Sequence, residues 1–270
     1  MSTIGIIGAG NMGSALIRGF LHGGKSETRN IKIFDIDPAR VLALSEEFGI
    51  PIAHTIGEVI TDETSILVLA VKPQVIGGVL DTIAERVHDK LVVISIAAGI
   101  TTSFILSHLK KPARIIRAMP NAAAVVGRSA TALCKGGIAD DGDMAASLSL
   151  FSVIGHAVTI EEKMMNSVTA LASSGLGYVF VMMEALTDAG VRMGLDRQTS
   201  RELTVQMFRG AAVMAESENT AFSELKDRVT SPGGTTIAGL HVLERAGLRG
   251  ILMDTVVAAS HRADELAPKE

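Results

Sequence analysis

Three glycines near the start of the chain have the spacing needed to bind a phosphate group. Residues 8–13 read Gly-Ala-Gly-Asn-Met-Gly and lie between an apolar run typical of a β-strand and a pattern typical of a helix. Gly8 would make the tight turn, Gly10 would let a pyrophosphate approach the backbone, and Gly13 would let helix and strand pack closely. An ordinary glycine turn is the alternative, but the flanking strand and helix favour a dinucleotide-binding turn.

An acidic residue ends the second predicted strand. Asp35 follows the apolar residues 31–34 and lies 22 positions after Gly13 (35 − 13 = 22). An acid about 20 residues after the turn binds the adenosine ribose 2′-hydroxyl of NAD. The alternative role is a helix cap, and Asp37, which Pro38 follows, fits that role better. We therefore expect Asp35 to contact the ribose and NADH to be favoured over NADPH.

A second glycine turn lies in the last quarter of the chain, where residues 231–236 read Ser-Pro-Gly-Gly-Thr-Thr. Proline and glycine pairs mark turns, and the alternative is that Thr235 or Thr236 is a plain helix cap. A helix that starts in glycines also presents free N–H groups to an anion, and neighbouring hydroxyls can donate or accept hydrogen bonds. This turn predicts a site for a small carboxylate substrate.

The elements that would position these turns change character along the chain. Up to residue 160, β-rich apolar runs alternate with helical segments, which predicts a doubly wound sheet whose ligand lies beyond the carboxyl ends of the strands. The predicted elements include strands over 31–35, 66–71, 91–96 and 114–119, a helix over Pro38–Phe48, a short strand near Ile52 and a surface loop over 140–143. From Lys163 onward the apolar spacing is helical. The predicted domains are a dinucleotide-binding domain over 1–161 and a helical domain over 162–270.

Composition narrows the function classes. The 270 residues are 47% hydrophobic and carry a net charge of −4 without a basic stripe, which argues against nucleic-acid binding. We expect no membrane span, because Gly, Lys, Asp or Pro interrupts each apolar stretch, and a cytoplasmic location follows. The single cysteine, Cys134, is expected to be a small buried hydrophobe. Seven scattered histidines indicate no metal site.

The chain resembles the pyrroline-5-carboxylate reductase family throughout its length. The segment 225–237, Leu-Lys-Asp-Arg-Val-Thr-Ser-Pro-Gly-Gly-Thr-Thr-Ile, looks like the signature of that family, and the segments 71–73, 95–99 and 117–121 resemble its other turns in the same order. The resemblance implies an α/β fold with an N-terminal Rossmann-type doubly wound sheet and an all-helical C-terminal dimerisation domain. It implies reduction of the C=N bond of 1-pyrroline-5-carboxylate to L-proline, the last step of proline biosynthesis, in a homodimer or an assembly of dimers.

The resemblance also implies roles for individual residues. Ser231 and the N–H groups of Gly234 and Thr235 would hold the substrate carboxylate, while Thr236 would reach the ring nitrogen. The implied NAD(P)H contacts are Gly8, Ala9, Gly10, Asn11, Met12, Gly13, Ala70, Val71, Lys72, Ala97 and Ala98. The site is sparse because an imine that carries a proton is already electrophilic, so the enzyme mainly aligns the hydride and supplies a proton path.

Three departures from the family pattern affect these expectations. Residues 172–178 read Ala-Ser-Ser-Gly-Leu-Gly-Tyr where the family usually reads Ser-Gly-Ser-Gly-Pro-Ala-Tyr, and Ala122-Ala123 replaces Thr-Pro. Asp35 replaces a hydroxyl or amide common in NADP-preferring members. The alternatives are a non-catalytic nucleotide sensor, a reductase of another small cyclic imine, and a hydroxyacid dehydrogenase, for which Lys163 is the single lysine available at the start of the second domain.

Overall fold

The computed structural model describes residues 3–24, 27–218 and 220–266, which form two compact units. The first unit contains the described residues up to Ser173 together with those from Ala259 onward, and the second contains Ser174–Ala258. This division falls twelve residues after the predicted domain boundary (173 − 161 = 12). The boundary at residue 161 stays a prediction.

A seven-stranded sheet forms the centre of the first unit, in the order β2-β1-β3-β4-β5-β6-β7. All neighbouring strands are parallel except β5 and β6, which are antiparallel. The strands are β1 (Thr3–Ile7), β2 (Ile31–Phe34), β3 (Thr64–Leu69), β4 (Val92–Ser95), β5 (Arg114–Met119), β6 (Ser129–Gly137) and β7 (Gly155–Thr159). The predicted doubly wound sheet is therefore confirmed, with one antiparallel pair added.

Helices cover both faces of the sheet. They are α1 (Asn11–His22), α2 (Pro38–Phe48), α3 (Ile76–Ile83), α4 (Thr102–Leu109), α5 (Asp141–Phe151) and α6 (Met165–Val168). One buried cluster contains Phe20 and Phe151, whose rings meet edge to face, and a second cluster contains Leu67 and Leu80. Because alternate strand residues enter opposite clusters, the sheet is buried on both sides, as continuous apolar strands require.

Local chemistry sets the ends of α2 at the residues that the sequence predicts. The Asp37 side chain accepts a hydrogen bond from the N–H of Ala39, Pro38 is the first helical residue, and Gly49 ends the helix in the left-handed conformation (φ 69°). Each of these residues has a strong intrinsic preference for its position. The helix is therefore specified by its own sequence.

Two local predictions are wrong. Residues 140–143 are not a free surface loop, because Asp140 and Asp143 form a reciprocal capping box that begins α5. The segment near Ile52 forms a single parallel bridge with Ile33 and no strand of its own. In both places the backbone forms hydrogen bonds that a prediction from composition does not identify.

The remaining helices are α7 (Gly175–Arg192), α8 (Arg197–Ser217), α9 (Phe222–Arg228), α10 (Thr235–Arg245) and α11 (Leu248–Leu266). Many large apolar side chains of these helices are exposed in the single chain, among them Phe180, Val181, Leu203, Met253 and Val257. The helical stretch Glu162–Arg192 has a mean hydropathy of 1.4 over its most apolar part and is long enough to span a membrane. The expectation that no apolar stretch reaches that length is wrong for this segment.

Candidate functional site

The glycine turn after β1 leaves no room for side chains at two of its three glycines. Gly8 has φ 109°, and a Cβ placed on it would lie 2.4 Å from the Ala70 carbonyl oxygen. A Cβ on Gly13 would lie 2.0 Å from the Gly8 carbonyl oxygen. These two glycines let β1, α1 and the end of β3 approach one another closely, which is the packing that the motif predicts.

Gly10 has a different environment. The nearest heavy atom to a Cβ built on it is Nη1 of Arg40, at 3.8 Å, and its backbone conformation (φ −68°, ψ −173°) is one that other residues adopt. Gly10 is also the N-cap of α1 and has no side chain to satisfy the first N–H groups of the helix. Fold packing therefore does not require this glycine, whereas close approach of a pyrophosphate would.

Backbone hydrogen bonds bring the next two strand ends to the same edge. The N–H of Ala70 donates to the Ile7 carbonyl at 2.8 Å, and the N–H of Ile96 donates to the Leu69 carbonyl at 3.2 Å. The predicted cofactor residues Val71 and Lys72 follow the first of these bonds, and Ala97, which is buried, and Ala98, which is exposed, follow the second. The site lies where strand order reverses between β1 and β3, the usual ligand position in such sheets.

Asp35 has a structural role that the sequence does not reveal. Its Oδ2 accepts a hydrogen bond from the N–H of Ala9 at 2.6 Å, and its Oδ1 accepts one from the N–H of Asp37 at 2.8 Å. The side chain is only 8% exposed. Asp35 thus joins the glycine turn to the start of α2, and a ribose hydroxyl would share oxygens that already have backbone donors. A carboxylate accepts about four hydrogen bonds, so both roles are compatible.

The residues of the first unit fit a dinucleotide. The cradle at Gly8 and Gly13 excludes side chains, Gly10 is open toward a ligand, and the N-terminus of α1 offers free N–H groups and the positive end of its dipole. Asn11 and Met12 begin α1 at this point, with Asn11 exposed. Among the described residues, no group of three His, Cys, Asp or Glu side chains is placed to hold a metal.

The second glycine turn precedes α10 in the second unit. Gly233 has φ 67°, and Gly234 is the N-cap, where a Cβ would lie 2.3 Å from the Ser231 Oγ. The N–H of Gly234 donates to the Ser231 carbonyl at 3.1 Å. Because the cap residue has no side chain, the N–H groups of Thr235 and Thr236 at the helix start remain suited to an anion. Ser231 and Thr235 are exposed, whereas Thr236 is half-buried.

The segment that departs from the family pattern keeps a helix start. Residues Thr169–Ser173 form a π-helical turn, and α7 begins at Gly175 with Leu176 in its first turn. The Asn121 side-chain amide donates to the Ala172 carbonyl at 3.0 Å, which ties this turn to the loop after β5. The helix therefore begins at Gly175 without a proline in its first turn, because proline there is permitted but not required.

Two charged side chains of the first unit, Arg40 and Arg117, were not identified as candidate functional residues from the sequence. Arg40 forms an ion pair with Asp37 beside the first glycine turn. Arg117, in β5, is 3% exposed, and its Nη1 lies 3.2 Å from Glu162 Oε1. An i,i+3 spacing from a helix cap is a local signal that points to Arg40, whereas the contact of Arg117 spans 45 residues and has none.

The strand order, the switch-point glycine turn and the acid after β2 define a dinucleotide-binding protein of the Rossmann class. Residues 3–99 match the family model described as NADP oxidoreductase coenzyme F420-dependent, and residues 162–266 match the one described as pyrroline-5-carboxylate reductase dimerisation. A pyrroline-5-carboxylate reductase of Methanosarcina acetivorans is 41% identical over 266 residues, which cover 98% of each chain. The chain belongs to the pyrroline-5-carboxylate reductase family.

Solved structures agree with this assignment. The pyrroline-5-carboxylate reductase of Coxiella burnetii superimposes with a TM-score of 0.95 and 32% identity, covering 99% of both chains. The pyrroline carboxylate reductase of Plasmodium falciparum, solved with NADP bound, has a TM-score of 0.87 and 28% identity over 99% of this chain and 98% of the other. The predicted fold class and family are therefore confirmed.

Proposed function

We propose that this protein reduces the C=N bond of 1-pyrroline-5-carboxylate to L-proline with a nicotinamide dinucleotide, as the last step of proline biosynthesis. The observation that carries the proposal is the near full-length similarity to reductases of this name, 41% identical over 98% of both chains in one case. The starts of α1 and α10 support the proposal, because each has a glycine N-cap without a side-chain cap and its first N–H groups can bind an anion.

The cofactor side of the proposal rests on the first unit. The turn at residues 8–13 would hold the pyrophosphate, the residues after β3 and β4 would line the nicotinamide end, and Asp35 would contact the adenosine ribose. A carboxylate at this position repels a 2′-phosphate, so we propose that NADH is preferred over NADPH.

The substrate side rests on the second unit. The N–H group of Thr235, together with the Ser231 hydroxyl, would hold the carboxylate of the substrate at the positive end of the α10 dipole. The N–H of Gly234, also implied by the family resemblance, donates to the Ser231 carbonyl in this structure, so it would have to share its hydrogen bond with the carboxylate. The Thr236 hydroxyl would form the hydrogen bond to the ring nitrogen. Ser231 can both donate and accept, so it can orient a carboxylate without adding charge.

The proposed reaction does not require a strongly acidic or basic side chain. When bound, the cofactor supplies a hydride to the ring carbon of the C=N bond. The two electrons of that bond's π system then remain on nitrogen, which keeps the proton that the iminium form carries, so the product is a secondary amine. The roles left for the chain are to orient the carboxylate, to bond the ring nitrogen through Thr236 and to exclude alternative poses.

A spectrophotometric assay tests the proposal. Purified protein with 1-pyrroline-5-carboxylate should oxidise NADH, and to a lesser extent NADPH, with a loss of absorbance that requires both substrates and yields proline. Normal nucleotide binding without turnover would contradict the proposal and favour a nucleotide sensor. Turnover with other small cyclic imines at a higher kcat/KM would instead show that residues 172–177 have changed the substrate.

The exposed apolar surface of the helical unit supports a homodimer or an assembly of such dimers. The match at residues 162–266 is to a dimerisation domain, and Phe180, Met183 and Val205 line an open groove of about 330 Å³ between α7 and α8. Burial of such a surface against a second copy explains the apolar stretch Glu162–Arg192 without a membrane. We propose a cytoplasmic dimer, and light scattering after size exclusion should give twice the 28.3 kDa chain mass or a multiple of it.

A further inference from the structure

The carboxylate of Asp35 is already engaged by the protein backbone. It accepts hydrogen bonds from the N–H groups of Ala9 and Asp37 and is 8% exposed. Its negative charge disfavours a second anion nearby, but its position is set by the fold of the glycine turn rather than by a ligand. A residue that compensates the charge of a 2′-phosphate on the adenosine ribose must therefore be a neighbour of Asp35.

Arg40 is the cation at this position. Its Nη1 lies 4.0 Å from Asp35 Oδ2, and its Nε lies 3.2 Å from Asp37 Oδ2. The same Nη1 would be 3.8 Å from a Cβ on Gly10, so this end of the guanidinium lies beside Gly10 of the glycine turn. One edge of the group is anchored by the N-cap carboxylate of α2, while the side chain as a whole is 54% exposed.

We propose that Arg40 lets this chain bind a 2′-phosphorylated adenine dinucleotide in spite of Asp35. A phosphate there adds nearly two negative charges next to two carboxylates, and a planar guanidinium with several N–H donors compensates best for that charge. A 2′-hydroxyl needs no such compensation. Arg40 therefore sets how far NADPH can replace NADH, and NADH remains the preferred cofactor. The inference rests on the proposed function only for the class of cofactor.

Equilibrium binding without substrate tests this directly. Dissociation constants for NADH and NADPH are measured from the fluorescence of the reduced nicotinamide, and adenosine 2′,5′-bisphosphate and 5′-AMP are used as competitors. In Arg40→Gln, the Kd for NADPH and the competition constant for the bisphosphate should rise about tenfold, while those for NADH and 5′-AMP change less than about twofold. Arg40→Lys should fall between, because it keeps the charge but loses the planar donors.

Arg18→Gln is the matched control. Arg18, in α1, is another partly exposed arginine in an ion pair, with Glu47 of α2, and it has no hydrogen bond or ion pair with Asp35 or Asp37 among the described residues. It should leave both dissociation constants unchanged. Equal weakening of NADH and NADPH in Arg40→Gln, or no change in either, would overturn the proposal. A protein that binds both nucleotides but reduces no imine would refute the proposed function while the binding ratio still tests Arg40.

Discussion

Arg117 Nη1 lies 3.2 Å from Glu162 Oε1, although the two residues are 45 positions apart in the chain. The Nε and Nη2 atoms of Arg117 are buried and have no partner among the described residues. Glu162 also accepts hydrogen bonds from the N–H and the hydroxyl of Thr102, at 2.8 and 2.6 Å. One carboxylate thus neutralises a buried arginine and caps the start of α4.

Removal of the Glu162 charge should destabilise the protein. Glu162→Gln leaves Arg117 buried without a counter-ion. Breaking a buried pair costs about 3–5 kcal/mol in free energy of unfolding, and the lower end of that range is expected because Glu162 is 29% exposed. Urea unfolding at fixed protein concentration measures the change. Glu161→Gln is the control, because the Glu161–Lys163 pair is exposed and its loss should cost less than about 0.5 kcal/mol. Equal effects of the two substitutions would show that the buried pair contributes nothing.

Alanine substitutions at two of the three glycines of the first turn, Gly13 and Gly10, should separate effects on folding from effects on binding. Gly13→Ala forces a methyl group to within 2.0 Å of the Gly8 carbonyl and should lower the melting temperature by several degrees, about 5 °C or more. Gly10→Ala meets no such contact, so stability should hold while the Kd for NADH rises about tenfold or more. Thermal unfolding and fluorescence titration measure the two effects. Unchanged NADH affinity in Gly10→Ala would remove the case for a pyrophosphate at this turn.

Thr236 should matter for turnover more than for folding. Thr236→Ala loses the proposed hydrogen bond to the ring nitrogen, and kcat should fall roughly 10–100-fold, as expected for a bond to a charged group. Thr236→Ser should recover most of the activity. Thr235→Ala keeps its backbone N–H and should leave kcat within about twofold, since only the N–H is assigned a role. Steady-state kinetics decide, and an unaltered kcat in Thr236→Ala would remove its catalytic role.

Two of the glycines of α7 should respond oppositely to substitution by alanine. Gly177→Ala adds a methyl group that meets no described atom within 4 Å, so it should stabilise the helix by about 0.5–1 kcal/mol. Gly190→Ala in the same helix places a Cβ 2.1 Å from the Ser200 Oγ and should destabilise it. Chemical unfolding compares the two. Destabilisation by Gly177→Ala would show that a second chain packs against this position.

The pKa of the Cys134 thiol is raised from its ordinary 9.0 to about 11. Burial is the main cause, the negative charge of Glu162 adds to the increase, and the positive charge of Arg117 partly opposes it. Above pH 9 the unfolded chain ionises this thiol and the folded chain does not, so the free energy of unfolding should fall between pH 9 and 11. Cys134→Ala removes this contribution, which shows as a difference between the two pH profiles. Reaction with a thiol reagent at pH 8 should be slow until the protein is unfolded.

The sequence by itself determined the features that depend on neighbouring residues. The bounds of α2 follow from Asp37, Pro38 and Gly49, and the first glycine turn follows from its strand and helix, because each feature is stabilised within a few residues. The family assignment succeeded for the same reason, since its turns keep their residues in order. The Asp140–Asp143 capping box also depends only on residues three positions apart, but a prediction from composition alone assigned this segment to a loop.

Only the tertiary structure decided which distant groups share a partner. The antiparallel pairing of β5 with β6, the Arg117–Glu162 contact and the two backbone donors on Asp35 join residues that the chain separates. Such contacts depend on how strands and helices pack, and their energies are not encoded in any local pattern. The spacing of Asp35 from the glycines predicts a ligand, whereas its hydrogen bonds show that the carboxylate first stabilises the turn itself.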